Sequence, residues 1–284
     1  MKVLILGSTG LLGNSLKKYL SSKKINLVFI SRKKKVKKNF YLSNFKKFNK
    51  LENLILKINP NIIINCLGIT KFHKSYKNIK ETKIINIDLP IYLSNLCLNN
   101  KIYFLHLSTD CVFLGNKGNY NENSKKNAKD LYGKTKGLGE VFNDFSATIR
   151  TSFIGPEQNT NKGLLNWFLS QSNYTNGFTN AFFSGSTSLE LSKIIYKYFI
   201  KQKNLYNSIL HVGGKRISKY NLLLLIKKVF HKKIHVFKYD NFKIDRSLNI
   251  KKFNKLTGYK PKKWIILIKE LKTFMLKNNF TFKL

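Results

Sequence analysis

Tyr132 and Lys136 stand four positions apart in Leu131-Tyr132-Gly133-Lys134-Thr135-Lys136. On a helix that spacing puts both side chains on one face. A phenol with its free pKa of about 10 is a poor proton shuttle at neutral pH. A neighbouring ammonium favours phenolate and lowers that pKa. Upstream, Leu107-Ser108-Thr109-Asp110 closes an apolar run, so a hydroxyl there can meet a carbonyl oxygen. A hydroxyl donor, a tyrosine acid/base and a lysine tuner together suit carbonyl reduction or alcohol oxidation beside a hydride carrier. The pair alone is weak evidence, because the chain has 14 tyrosines and many lysines.

The place for the hydride carrier is near the start. Gly7, Ser8, Thr9, Gly10, Leu11, Leu12 and Gly13 follow the first apolar run and open a helix-like stretch. Glycine at 7 permits a sharp turn, at 10 a close pyrophosphate, and at 13 tight helix–sheet packing. The helix N-terminus offers N–H groups and partial positive charge to phosphates. An ordinary β–α turn is the plain alternative. The next apolar run ends Ile30-Ser31-Arg32, where a carboxylate would hold the ribose 2′-hydroxyl of NAD. Ser31 and Arg32 suit a 2′-phosphate instead, so NADP(H) is favoured over NAD(H). General lysine enrichment does not explain Arg32, since only four of the 53 basic residues are arginine.

The elements that must carry these residues follow from the apolar pattern. Strands are expected at 3–6, 26–30, 62–64, 102–107 and 147–150. Helices are expected at 11–20, 51–58, 84–98 with an interruption near Pro90, and 132–145. Near-continuous apolar strands alternating with helices predict an α/β fold, a Rossmann-type doubly wound parallel sheet covered on both faces. Residues 1–155 are expected to form the NADP-binding Rossmann domain, joined by a strand near 208–213. Residues 156–284 are expected to form a smaller, interleaved C-terminal substrate-binding lobe, with helices at 164–169, 189–200 and 219–230 and a terminal helix ending near Met275.

The 284 residues can bury a substantial core. Cys66, Cys97 and Cys111 are too few and scattered for a disulfide framework, which fits a reducing compartment. No apolar run reaches the roughly 20 residues of a membrane span, and Gly7 to Gly10 interrupts the signal-like opening. The net charge of +40 is almost all lysine and spread along the chain, so we read it as A/T-biased coding plus solubility rather than specific nucleic-acid binding. A positive field would still attract a phosphorylated substrate. His73 and His106 lack a second ligand at metal-like spacing, so no metal is expected.

Several segments resemble the extended short-chain dehydrogenase/reductase superfamily, and its dTDP-4-dehydrorhamnose reductase-like branch in particular. They are Gly7 to Gly13, Asn65-Cys66-Leu67-Gly68, Asn86 to Pro90, Leu107 to Phe113, Leu131 to Glu140 and Arg150-Thr151-Ser152. The resemblance implies that Thr109 polarises a keto oxygen, Tyr132 donates the proton and Lys136 supports both. It adds Cys66, Leu67 and Gly68 to the cofactor contacts. It implies a nucleotide-sugar substrate with a 4-keto-6-deoxy ring, contacted by Ser108, Asp110, Cys111, Phe153, Asn180 and Arg246, and a role in surface polysaccharide synthesis. Arg246 could clamp a diphosphate or pair with Asp245. A cytoplasmic location and a homodimer accord with it. Cys111 stands where this branch usually carries tyrosine, Phe153 where tryptophan is common, and Tyr41 near the place of an acidic adenine contact. Glu140 is expected to be exposed or capping. The rivals are an epimerase or dehydratase on the same scaffold, and a non-catalytic NADP-binding regulatory subunit.

Overall fold

The computed structural model describes residues 1–31, 39–157 and 161–280. β1 (Lys2–Leu6) leads into α1 (Leu11–Leu20), β2 (Asn26–Ser31) and β3 (Phe40–Leu42). Then come α2 (Phe48–Ile58) and β4 (Ile62–Asn65). α3 (Ile79–Lys83) runs through a π-helical turn into α4 (Leu89–Asn99), followed by β5 (Tyr103–Thr109), α5 (Leu131–Leu138) and β6 (Ser146–Thr151). The second half is broken into shorter pieces. These are β7 (Phe153–Ile154), α6 (Leu164–Ser170), β8 (Tyr174–Phe178), β9 (Ala181–Phe183), β10 (Ser186–Thr187) and α7 (Ser188–Ile194), which continues in π-helical form to Gln202. β11 (Ser208–His211), β12 (Ile217–Ser218), α8 (Lys219–Phe230), β13 (His235–Tyr239), β14 (Ile244–Asp245), α9 (Lys251–Thr257) and α10 (Trp264–Lys277) complete the chain.

Seven strands form one all-parallel sheet in the order β3-β2-β1-β4-β5-β6-β11. The order reverses between β1 and β4, so the turns after those strands open into a crevice at the carboxyl edge, where ligands of such sheets bind. Alternation within each strand explains the two buried faces. Val3, Ile5, Ile62, Ile64, Leu105 and Leu107 face one apolar cluster with Leu191 and Phe199. Leu4, Leu6, Ile63 and Phe104 face the other, against Leu51, Ile55, Leu89 and Leu93. A third cluster fills the C-terminal part, where α6, α8 and α10 pack Phe168, Leu222, Ile226, Leu267 and Leu271 together. Small sheets β10–β7, β12–β9–β14 and β13–β8 frame it.

Three expectations about the elements need correction. The expected break near Pro90 is absent, and helical backbone runs from Ile79 to Asn99. The ring of a proline clashes with the carbonyl four residues earlier. Here that carbonyl, of Asn86, lies in the wider turn and against Gly139, where an added Cβ would come within 1.9 Å of it. α5 stops at Leu138 instead of continuing to Phe145, because Gly139 ends it and Glu140 turns inward. The short helix α9 was not expected. No helix among the described residues is long and apolar enough to cross a membrane.

Candidate active site

The glycine turn is built as its spacing demands. Gly7 has φ of +78°, and a Cβ there would press on the Cys66 carbonyl at 3.1 Å. A Cβ on Gly13 would come within 2.2 Å of the Gly7 carbonyl oxygen, so only glycine lets α1 start so close to β1. α1 has no capping side chain, which leaves its first N–H groups available. The Ser8 hydroxyl is buried without a hydrogen-bond partner. An open helix N-terminus, an orphaned hydroxyl and a turn bounded by Gly7 and Gly10 fit a dinucleotide pyrophosphate. Leu67 and Gly68 lie beside this turn, after β4, with the Leu67 N–H bonded to Asn65 Oδ1 at 3.1 Å. The Cys66 thiol is pushed up to about 12 by burial. Ser31 closes β2, whereas Arg32 lies outside the described residues.

Thr109 ends β5 and Tyr132 sits in the first turn of α5. Asp130 caps that helix by accepting from the Gly133 N–H at 3.0 Å. Gly133 is required because a Cβ there would strike the Cys111 carbonyl at 2.2 Å. Asn86 fixes the helix from the other side, donating to Thr135 Oγ1 at 3.0 Å and bridging to both backbone groups of Ile69. The result brings the Tyr132 phenol near the Thr109 hydroxyl, which acts to lower the phenol's pKa. Thr109 Oγ1 also accepts from the Cys111 N–H at 3.1 Å and donates to Asp110 Oδ1 at 3.2 Å.

Lys136 shares the helix face but is differently engaged. Its Nζ donates to the Leu107 carbonyl at 2.6 Å and lies 3.1 Å from His106 Nε2. It is buried, and that burial pushes its pKa down to about 8. The expected lowering of the phenol by this lysine does not appear. Burial, followed by the Cys111 thiol, raises the Tyr132 pKa, and the nearby Thr109 hydroxyl opposes it only in part. Tyr132 is therefore a protonated donor at neutral pH.

Glu140 is not exposed, as the sequence suggested, but fully buried. Arg150 grips it bidentately, with Nε to Oε1 and Nη2 to Oε2 both at 2.8 Å, and Ser108 Oγ donates to Oε1 at 2.7 Å. Burial alone would raise this carboxyl, but the Arg150 hydrogen bonds and charge, with Lys126 and Ser108, hold it below the usual range. The network uses the Ser108 hydroxyl to tie β5 to α5 and β6, so Ser108 supports the site from behind. The only sequence signal for it was Arg150, one of four arginines in the chain, on a strand whose residues are all buried.

The C-terminal part meets the segment that follows β5. Arg246 donates from Nε to the Phe113 carbonyl at 3.0 Å, and its Nη1 lies 3.6 Å from Cys111 Sγ. Asp245 pairs with Arg216 at 2.9 Å, so Arg246 does not make the alternative Asp245 pair. Asp110 is buried, which raises its pKa against the pull of Lys219 and Arg246. Lys219, which the sequence did not single out, begins α8, lies 4.0 Å from the Phe183 ring centroid and acts electrostatically on Asp110. The Cys111 thiol, pushed up to about 12 mainly by burial, stays protonated and is no nucleophile. Phe153 packs against the main core. Asn180 donates to the Asp240 carbonyl at 3.0 Å and secures the loop before β14; no described contact joins it to Thr109 or Tyr132.

A turn shaped for pyrophosphate and a Thr–Tyr–Lys cluster thus occupy one sheet edge. A family model described as the RmlD substrate binding domain matches residues 1–180. The chain belongs to this family. A dTDP-4-dehydrorhamnose reductase of Aggregatibacter actinomycetemcomitans is 28% identical over 165 residues, 56% of this chain and 54% of that protein. A methionine adenosyltransferase 2 subunit beta of Bos taurus is 27% identical over 139 residues, 49% and 41% of the two chains. The chain thus spans about half or less of the lengths of these curated relatives. The crystal structure of a hypothetical dTDP-4-dehydrorhamnose reductase from Sulfolobus tokodaii superposes with a TM-score of 0.78 at 28% identity, covering 91% of this chain and 95% of that one. The RmlD-like fold is therefore shared almost from end to end.

Proposed function

We propose that the protein is an NADPH-dependent reductase of the 4-keto group of a nucleotide-linked deoxysugar. The observation that carries this reading is the placing of Thr109 at the end of β5 and Tyr132 in the first turn of α5, with Lys136 buried one turn further along that helix. Residues 1–155 with β11 would hold the dinucleotide, and residues 156–284 would close over the sugar. When bound, the nicotinamide supplies a hydride to the carbonyl carbon. Tyr132 would present its O–H to the carbonyl oxygen, and Thr109 would do so by turning its O–H away from Asp110, which together would stabilise the negative charge that develops there. Tyr132 then passes its proton to that oxygen. Burial favours this direction, because the raised phenol pKa keeps the donor loaded before each turnover. The resulting phenolate is offset by the nearby Lys136 once that side chain is protonated. Arg246, Lys219 and the half-buried Cys111 would line the sugar side and set which ring is accepted. Such a reaction would run in the cytoplasm, where its nucleotide-sugar and NADPH substrates would be met, and would feed surface polysaccharide synthesis.

The test is a panel of nucleotide 4-keto sugars followed by NADPH absorbance. We expect stoichiometric NADPH loss with at least one member. Sugar isomerisation without NADPH loss would indicate an epimerase instead. Arg32→Ala should weaken NADPH roughly ten-fold more than NADH, and equal loss would remove the case for the phosphorylated cofactor. The match to a chain named as a subunit favours one second reading, a non-catalytic NADP-binding subunit. NADP binding with no turnover on the panel would support it.

A further inference from the structure

His106 lies on β5, fully buried, with one ring nitrogen toward Asn65 and the other toward Lys136. Its protonation follows from counting donors. The Leu67 N–H needs an acceptor, and Asn65 Oδ1 provides it at 3.1 Å. That fixes the amide, so Asn65 Nδ2 donates to His106 Nδ1, 3.1 Å away. Nδ1 must then be the bare nitrogen of a neutral imidazole, and the ring proton sits on Nε2. That N–H points at Lys136 Nζ across 3.1 Å. An ammonium has three donors and no lone pair, so it cannot accept this bond. An amine can accept it while still donating to the Leu107 carbonyl at 2.6 Å.

If Lys136 were an ammonium, His106 would have to move its proton to Nδ1. That proton would face the Asn65 NH2 group, or the amide would flip and orphan the Leu67 N–H. Either way a donor, buried on Asn65 or half-buried on Leu67, loses its acceptor, which is unfavourable. We propose that Asn65 and His106 are positioning residues that favour a neutral amine on Lys136 in the free protein at mildly alkaline pH, so that binding of the dinucleotide there brings a proton to Lys136. The second clause rests on the reductase reading; the first does not.

The other groups facing Lys136 are compatible. Tyr132 lies on the same helix and stays protonated. The Cys66 thiol, after β4, is neutral below about 12. Glu140 favours the ammonium, but Arg150 and Lys126 answer its charge. His106 itself is held neutral, its pKa driven well down by burial and by Lys136. Burial pushes Lys136 down to about 8, in the same sense as the hydrogen-bond pattern.

Two measurements at pH 8.5 test this. Imidazole nitrogen NMR of the free protein should show His106, assigned by its loss in His106→Gln, as the Nε2–H tautomer. An Nδ1–H tautomer or an imidazolium would overturn the positioning role. Calorimetry of NADP+ binding in buffers of differing ionisation enthalpy should show uptake of most of one proton, absent in Lys136→Met. His106→Gln can turn a carbonyl to Lys136, which favours the ammonium. It should raise the lysine midpoint by about one unit and cut the uptake about three-fold. Unchanged uptake in both variants would overturn the coupling. If NADP+ fails to bind at all, the reductase reading and the coupling fall together, and the tautomer alone decides the positioning role.

Discussion

The proton on Tyr132 is governed by desolvation more than by any neighbouring charge. A donor kept loaded in this way implies that Tyr132→Phe loses roughly a thousand-fold in kcat. NADPH affinity should stay within about two-fold, because the substitution keeps the ring and removes only the hydroxyl. Comparable loss in both would assign the tyrosine a structural role. Lys136 gives a second expectation at this scale. Its folded pKa of about 8 lies below the ordinary value of 10.5, so the folded state binds fewer protons between those values. Stability from this group therefore rises with pH from about 8 to 10.5, and at neutral pH the buried lysine is a cost. Lys136→Met should lack that rise. The difference between wild type and variant, from urea unfolding at pH 7 and pH 10.5, should shrink by roughly 3 kcal/mol. A constant difference would mean the lysine titrates normally.

At the scale of elements, the site depends on how β5, α5 and β6 are pinned. Glu140 and Arg150 do this from a position where both are sealed from water. Glu140→Ala leaves the guanidinium buried and uncompensated, which should cost about 3–5 kcal/mol and show as a lower denaturation midpoint. The same carboxylate shapes the acid limb. Its folded pKa is depressed, so its contribution is full above the ordinary glutamate value and is lost as pH falls through the depressed one. Gly13→Ala should weaken NADPH binding at least ten-fold, since its Cβ would meet the Gly7 carbonyl and force α1 off the turn. Unaltered binding would contradict the proposed cradle.

These elements also mark what the sequence could and could not convey. The strand-turn-helix around Gly7 was legible because apolar β1 and three spaced glycines are local signals. The Glu140 contacts were not, since they join residues brought together only by the parallel pairing of β5 and β6. Lys219 was missed because one lysine among many carries no pattern, and only α8's approach to Asp110 gives it meaning. Pro90 misled because the wider turn before it is a tertiary accommodation, formed where Gly139 meets Asn86.

Across the whole molecule the net charge is +40, and Arg246 and Lys219 bring part of it to Asp110 at the end of β5. A phosphorylated substrate should be drawn to it, so kcat/KM for a nucleotide sugar should fall several-fold between low and physiological salt, with kcat little changed. A salt-independent kcat/KM would show that the field plays no part in capture. The reaction itself is tested most directly by isotope transfer. Enzyme, NADPH deuterated at nicotinamide C4 and a nucleotide-linked 4-keto-6-deoxysugar are mixed, and the sugar is read by mass spectrometry and NMR. Our account predicts one deuterium at sugar C4 for each NADPH consumed, and none with Tyr132→Phe. Product formed without net NADPH loss, or equal transfer by the variant, would contradict it.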